Sequence, residues 1–230
     1  MSNLRSIATR PVDAFHPSLF DLGRPEVHAG FDGLTRRILP PDAWVDHVPG
    51  WLSGSAELFE VLLATMGWSH HVVTMYDKRV DQPRLTAVWK GEDAHPTAGP
   101  IIEEMRSRLS ERYGVRFRSV GLNLYRDGED SVAWHGDRVA RDRAWATIAI
   151  VSLGEPRPFR LRPKATDGAR ASVTYAAGNG DLLVMGGSCQ RTWQHSVPKV
   201  RRAGPRISVT FRHELLREPA PRRSPGAGTP

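Results

Sequence analysis

The chain has 230 residues, of which 40% are hydrophobic, so it can bury one core of moderate size. Its formal charge of +7 and isoelectric point near 10.1 favour a polyanionic partner such as nucleic acid, with an ordinary solvated basic surface as the alternative. The single cysteine, Cys189, excludes an intramolecular disulfide, and no apolar run approaches the roughly 20 residues needed to span a bilayer.

The N-terminal part carries no chemical signal. Residues 1–50 are rich in proline, glycine and charge, which predicts irregular cover with short strands at 27–31 and 35–39. With no charged and apolar leader in residues 1–20 and one cysteine, we expect a cytoplasmic protein.

Two helices are predicted next. The spacing of Leu58, Phe59 and Leu62 predicts an amphipathic helix over 55–66, and a similar pattern predicts a second helix over 101–113 that ends at Gly114. Both helices are expected to cover a sheet.

After Gly114 the pattern changes to short strands separated by turn residues. Strands are predicted at 117–125, 131–135, 145–152, 158–162, 171–175, 181–185 and 206–213. This spacing is typical of a sandwich or barrel. We therefore expect a mainly β protein of the α+β class, with a single domain over 1–217 and a disordered proline- and arginine-rich tail over 218–230.

The strongest chemical signal is His135-Gly136-Asp137 followed by His195. Residues i and i+2 of a strand point to the same face, so His135 and Asp137 can reach one point, while His195 must come from a neighbouring strand or turn. Two histidines and one carboxylate form the facial ligand set of non-haem Fe(II) oxygenases. The alternative is three unrelated polar residues at strand ends.

The last predicted strand adds an anion-binding pattern. From Arg206 to Arg212 polar and apolar residues alternate, so Arg206, Ser208 and Arg212 share one face. Inside a barrel the two guanidinium groups would need anionic partners, and a dicarboxylate would provide both. Asn123 and Tyr125 follow the same alternation and could add polar contacts.

Together these segments resemble the AlkB family of Fe(II)- and 2-oxoglutarate-dependent dealkylating oxygenases. The resemblance is carried in order by Pro83-Arg84-Leu85-Thr86-Ala87, Asn123-Leu124-Tyr125-Arg126-Asp127-Gly128, Trp134-His135-Gly136-Asp137, Trp193-Gln194-His195-Ser196-Val197-Pro198-Lys199 and the strand from Arg206 to Arg212. It covers roughly residues 74–212 and implies a double-stranded β-helix, or jelly-roll, core with the helices as cover.

The resemblance also implies residue roles. His135, Asp137 and His195 would bind the iron. Arg206 and Tyr125 would hold the distal carboxylate of 2-oxoglutarate. The metal-chelating end of that molecule would contact Arg212 and Asn123.

At two positions the sequence departs from the family pattern. Ser208 stands where relatives often carry asparagine, and Val139, next to Arg138, stands where they carry an acidic residue near the substrate base. Because serine is shorter than asparagine, Ser208 can offer the cosubstrate only a hydroxyl contact of shorter reach. The second leaves the preferred base open.

Substrate contacts are predicted in a lid over 74–91, which mixes basic and aromatic residues. Tyr76 and Trp89 are candidates for base contact, and Arg84 for phosphate contact; for Trp89, hairpin packing is an equal alternative. Arg138 and Val139 are further candidates beside the metal site, and the basic segments 138–143 and 199–202 are candidate phosphate contacts.

The implied reaction is oxidative demethylation of bases in methylated DNA or RNA. It would use Fe(II), 2-oxoglutarate and O₂, with ascorbate as reductant in vitro, and release succinate, CO₂ and formaldehyde. We expect a monomer without membrane contact. Three alternatives stay open: a 2-oxoglutarate-dependent hydroxylase of a protein or small molecule, a non-enzymatic nucleic-acid-binding barrel, and a zinc hydrolase.

Overall fold

The computed structural model describes residues 12, 15, 22–75, 78–91, 95–137, 145–164 and 172–213, with backbone alone for 72–75 and 78–81. Among the predicted substrate contacts, Tyr76, Arg138 and Val139 lie outside the described residues, as do the basic segment 138–143 and the predicted tail 218–230. The predicted domain boundaries stay predictions.

Strands dominate the described part of the chain. They are β1 (Glu26–Val27), β2 (Thr35–Leu39), β3 (Ala43–Val48), β4 (Leu52–Ser53), β5 (Ser69–Met75), β6 (Lys78–Trp89), β7 (Ser119–Tyr125), β8 (Val132–His135), β9 (Ile148–Gly154), β10 (Arg157–Pro163), β11 (Val173–Ala177), β12 (Leu182–Gly187), β13 (Trp193–Val197) and β14 (Arg206–Arg212). The helices are α1 (Ser55–Thr65), α2 (Ala98–Tyr113) and the short α3 (Cys189–Thr192).

Two antiparallel sheets form the core of the fold. The major sheet has eight strands in the order β2-β3-β12-β9-β14-β7-β6-β5, and the minor sheet has four in the order β11-β10-β13-β8. One apolar cluster fills the space between the sheets, with side chains such as Ile150 and Met185 from the major sheet and Phe159 and Leu161 from the minor one. The architecture confirms the expected mainly β jelly roll.

The helices cover the outer face of the major sheet, as predicted. Leu58, Phe59 and Leu62 of α1 and Ile102 of α2 are fully buried in a second apolar cluster. α2 ends at Gly114, whose φ of +62° lies in the left-handed region that glycine adopts without strain.

The central strands are buried on both faces, which explains their nearly continuous apolar sequences. β14 shows this clearly: Ile207, Val209 and Phe211 pack toward the helices, while Arg206 and Ser208 point between the two sheets. The predicted alternation of this strand is therefore confirmed, and its polar face lines the jelly-roll interior.

The structure corrects the expectation that residues 1–50 are irregular cover. β3 is an integral strand of the major sheet, paired along its whole length with β12. The sequence pattern was obscured because Asp46 is buried within it, where Arg36 donates two hydrogen bonds of 2.6 and 2.7 Å to its carboxylate. The strand predicted at 27–31 is reduced to Glu26–Val27.

In the described part of the chain, no helix combines the length and apolar character that a membrane crossing would need.

Candidate metal and cosubstrate site

The three predicted metal ligands converge at one point between the sheets. His135, the last residue of β8, is the direct cross-strand partner of His195 on β13, and their ring centroids are 4.2 Å apart. Asp137 follows two residues after His135. One ligand atom from each of the three residues lies within 4.8 Å of the others. This spacing suits a single bound cation.

The protonation states also suit a metal. Burial lowers the pKa of His195 to about 3, with His135 acting in the same direction, so the imidazole is neutral near pH 7. Burial alone would raise the pKa of Asp137, but the positive charge of Arg212 and the two histidines outweigh it and hold that pKa below its usual range. Metal ligands must be deprotonated, and both groups meet that requirement.

The hydrogen bonding of His135 selects its ligand atom. Its Nδ1 lies 2.8 Å from the backbone oxygen of Ala133, which can only accept, so Nδ1 carries the proton and Nε2 is left to bind a metal. His195 is oriented by packing, because Phe159 stacks against its ring at 5.4 Å.

Arg206 lies deeper between the sheets and is only 1% exposed. Its Nη2 donates to Ser152 Oγ at 2.8 Å, and its guanidinium carbon lies 5.3 Å from the ring centroid of Tyr125. Among the described residues, its Nε and Nη1 have no hydrogen-bond partner. Burial lowers the pKa of Arg206, which reflects the cost of holding a cation here. A carboxylate would supply charge-assisted hydrogen-bond acceptors for this buried guanidinium.

A chain of hydrogen bonds lines one wall of the same interior. Asn123 donates from Nδ2 to Ser208 Oγ at 3.2 Å, and Arg84 donates from Nε to Asn123 Oδ1 at 3.0 Å. Arg84 was predicted to contact phosphate from the lid. The structure directs its Nε to Asn123, so Arg84 contributes to the pocket wall, and its contact with phosphate stays a prediction.

Arg212 lies next to the metal cluster. Its Nη2 lies 3.4 Å from Asp137 Oδ1, which is long for a hydrogen bond. The positive charge of the guanidinium is nevertheless close to the carboxylate. The Arg212 side chain packs closely against Gly121, since a Cβ atom at position 121 would lie 2.9 Å from Arg212 Nη1.

The position of Trp89 favours the packing alternative over base contact. Trp89 pairs with Val120 on β7, and both side chains are buried in the cluster beneath the helices. Asn123 points to the opposite face of β7, toward the pocket. Alternation along β6 places the side chain of Trp89 away from the metal cluster, so its contact with a base stays a prediction without support from the packing.

Two residues of this site were missed by sequence reasoning. Ser152 bonds to Arg206, and its signal was a single hydroxyl within the apolar strand IAIVSLG. Gln190 accepts a hydrogen bond from the backbone N–H of Asp137 at 2.9 Å. No pattern marked Gln190, because it lies in the one-turn helix α3 far from Asp137 in sequence.

Comparison with known proteins agrees with this geometry. Residues 46–212 match the family model described as the 2OG-Fe(II) oxygenase superfamily. The human alpha-ketoglutarate-dependent dioxygenase alkB homolog 3 is 33% identical over 185 residues, which cover 73% of this chain and 63% of that protein. The match thus spans less than two thirds of the human relative.

Two further proteins are similar. DNA oxidative demethylase ALKBH2 of Bos taurus is 34% identical over 122 residues, covering 50% of this chain and 44% of that protein. The solved structure of OsALKBH1 superposes with a TM-score of 0.50 at 14% identity, over 78% of this chain and 100% of that one. At that identity the superposition bears on the fold alone.

Proposed function

We propose that this chain, which belongs to the AlkB family of Fe(II)- and 2-oxoglutarate-dependent oxygenases, removes N-linked methyl groups from bases in DNA or RNA. The overall reaction balances as methylated base, 2-oxoglutarate and O₂ giving unmodified base, formaldehyde, succinate and CO₂. When bound, Fe(II), 2-oxoglutarate and O₂ supply the two-electron oxidation of the methyl group.

One observation carries the proposal: the buried Arg206, two of whose nitrogens have no hydrogen-bond partner in the described part of the chain, shares the interior of the jelly roll with His135, Asp137 and His195. A metal-only site would not need this guanidinium. Arg206 and Tyr125 would hold the distal carboxylate of 2-oxoglutarate. A zinc hydrolase would leave Arg206 without a counter-ion, so this alternative fits the site less well.

Further residues would shape the cosubstrate pocket. Arg212 and Asn123 would face the end of 2-oxoglutarate that chelates the metal, as the resemblance implies. Ser208 replaces the longer asparagine of relatives and already accepts a hydrogen bond from Asn123. We infer that Ser208 acts by orienting the Asn123 amide.

Several observations support a nucleic-acid substrate. The chain carries a formal charge of +7, and Arg201 and Arg202, in the predicted phosphate-contact segment, have exposed side chains. In the same segment, Lys199 is paired with Glu129 at 3.1 Å, so it is the weaker phosphate candidate. The relative ALKBH2 is itself named a DNA oxidative demethylase.

The buried position of the ligand cluster limits how a base can reach the metal. The ligand cluster lies between two sheets, so a paired base must be flipped out of its duplex or presented on a single strand. Tyr76, Arg138 and Val139 stay proposals for contacts to that base, and the cytoplasmic location and monomeric state stay predictions.

Mass spectrometry of methylated oligonucleotides tests the proposal. The protein is incubated with Fe(II), 2-oxoglutarate, ascorbate and a panel of oligonucleotides with different methylated bases. We expect methyl loss with wild type and with the exposed-surface control Glu111→Gln, but none with Asp137→Ala. If succinate formed at the same rate with and without each oligonucleotide, the result would contradict this proposal and favour a hydroxylase of a protein or small molecule.

A further inference from the structure

We propose that Gln190 is a positioning residue that fixes the backbone of Asp137 and thereby aims its carboxylate at the two histidines. This inference rests on the proposed metal site. It concerns the short helix α3, to which neither the sequence pattern nor the family resemblance assigns a role.

The contact is specific in direction. Gln190 is 2% exposed, and its Oε1 accepts the hydrogen bond from Asp137 N at 2.9 Å. Its Nε2 lies 3.5 Å from Met185 Sδ, a weak acceptor. Since a backbone N–H can only donate, the amide oxygen must face Asp137, which fixes the orientation of the Gln190 side chain.

Asp137 needs such an anchor because β8 ends at His135. The pairing of His135 with His195 holds the first histidine, but Asp137 lies two residues beyond that ladder. The bond from Gln190 provides a fixed point at the residue whose carboxylate must complete the ligand set. Partners of this kind orient metal ligands, and their loss commonly weakens metal binding about 10- to 100-fold.

The main chain of Gln190 also constrains the residue between the ligands. A Cβ atom on Gly136 would lie 2.6 Å from the backbone oxygen of Gln190, so only glycine permits this approach. The same oxygen accepts a hydrogen bond from Lys164 Nζ at 2.8 Å. Gln190 therefore contacts the His135-to-Asp137 turn through both its side chain and its main chain.

The helix α3 connects this turn to the other histidine. α3 continues directly into β13, which carries His195. Its two ends are held by backbone bonds from Ser188 N to Asp42 O at 3.0 Å and from Lys164 N to Thr192 O at 2.8 Å. The short helix α3 thus links ligands from two separate strands, and Gln190 is the residue of α3 that contacts Asp137.

Cobalt titration of the full-length, metal-free protein tests the inference. Co(II) absorbs when bound to a histidine and carboxylate set, and its affinity is measured under anaerobic conditions for wild type, Gln190→Met and the control Thr192→Val. Thr192→Val removes a side-chain bond from α3 to Ser188, the residue before it, but leaves the contact to Asp137. Melting temperatures without metal are recorded in parallel.

We expect Gln190→Met to weaken Co(II) binding about 10- to 100-fold, while Thr192→Val binds like wild type. A purely structural role predicts lower melting temperatures with unchanged Co(II) affinity, and that result would overturn the inference. Should Gln190→Met fail to fold, Gly136→Ala applies the same test, because its methyl group displaces the turn from Gln190. Wild-type affinity in a folded Gly136→Ala would equally overturn it.

The two proposals can fail separately. Co(II) binding that depends on Gln190 without any demethylation would remove the proposed substrate and leave the positioning role. Absence of Co(II) binding by wild type would remove both.

Discussion

Arg206 and Tyr125 are direct cross-strand partners on β14 and β7, and the Arg206 guanidinium lies over the Tyr125 ring, with its carbon 5.3 Å from the ring centroid. A second guanidinium, that of Arg157, lies 5.7 Å from the same ring. Arg157 donates hydrogen bonds from Nη1 to the backbone oxygen of Asp127 and from Nη2 to that of Pro198, each at 2.8 Å. Among the described residues, both Nε and Nη1 of Arg206 have no hydrogen-bond partner, whereas Nε alone of Arg157 has none, so Arg206 is the better placed of the two cations to receive an anion.

Replacing Arg206 tests the cosubstrate site. Hydrogen bonds to a charged partner contribute about 1.5–3 kcal/mol each, so Arg206→Met should weaken 2-oxoglutarate binding at least about tenfold. The measurement is the anaerobic absorption titration of the Fe(II)-loaded protein with 2-oxoglutarate, with the exposed Arg201→Met as control. Without metal and cosubstrate, Arg206→Met should be as stable as wild type or more so, because a buried cation has been removed. Equal 2-oxoglutarate affinity in Arg206→Met and wild type would exclude the assigned role.

A buried ion pair should stabilise the loop between β7 and β8. Arg126 and Asp130 are both fully buried, with contacts of 2.8 and 2.9 Å between guanidinium and carboxylate. Asp130→Ala leaves the cation buried and should cost about 3–5 kcal/mol of unfolding free energy. Urea unfolding measures the loss, and the double variant Arg126→Met with Asp130→Ala should recover part of it. A loss no larger than that of the exposed Glu129→Ala would contradict the prediction.

Asp181 should make the fold sensitive to acid. Burial alone would raise the pKa of Asp181, but hydrogen bonds from His47 and from the backbone N–H groups of Gly178 and Gly50 hold it below its usual range. The ionised carboxylate thus stabilises the fold above the unfolded pKa of about 4, and this contribution is lost as pH falls through the lower folded value.

Asp181→Asn should accordingly lower the unfolding free energy by about 1–3 kcal/mol near pH 7, with a difference from wild type that shrinks toward about pH 3. Urea unfolding across that range gives the measurement, with Glu111→Gln as the exposed control. A difference that is constant with pH would show that the carboxylate charge plays no part.

Salt dependence tests the phosphate contacts proposed for Arg201 and Arg202. Each lost phosphate contact reduces the slope of log affinity against log salt concentration by about 1. Replacing both residues by glutamine should reduce the slope by about 2 and weaken binding similarly for all oligonucleotide sequences. The exposed Arg24→Gln, near α1, serves as control. An unchanged slope in the double variant would place the nucleic acid elsewhere.

Much of the site was predictable because its signals are local. The alternation from Arg206 to Arg212 depends only on the period-two geometry of a strand, which β14 preserves. His135 and Asp137 are close in sequence and both reach the site, although β8 ends at His135 and Asp137 lies in the turn that follows. The helix 55–66 was predictable for a similar reason, since all residues of its apolar face lie in one short segment of the sequence. β3 was not, because its buried Asp46 is neutralised by Arg36 on the neighbouring strand.

The sequence by itself determined the strand character, the apolar faces of the two long helices and the residue types available for chemistry, because these follow from local periodicity and side-chain identity. Only the tertiary structure decided which faces point inward. It placed Trp89 beneath the helices, turned Arg84 toward Asn123, and brought Gln190 against Asp137 across 53 positions of sequence. Such contacts arise from sheet register and packing between distant segments, which no local pattern encodes.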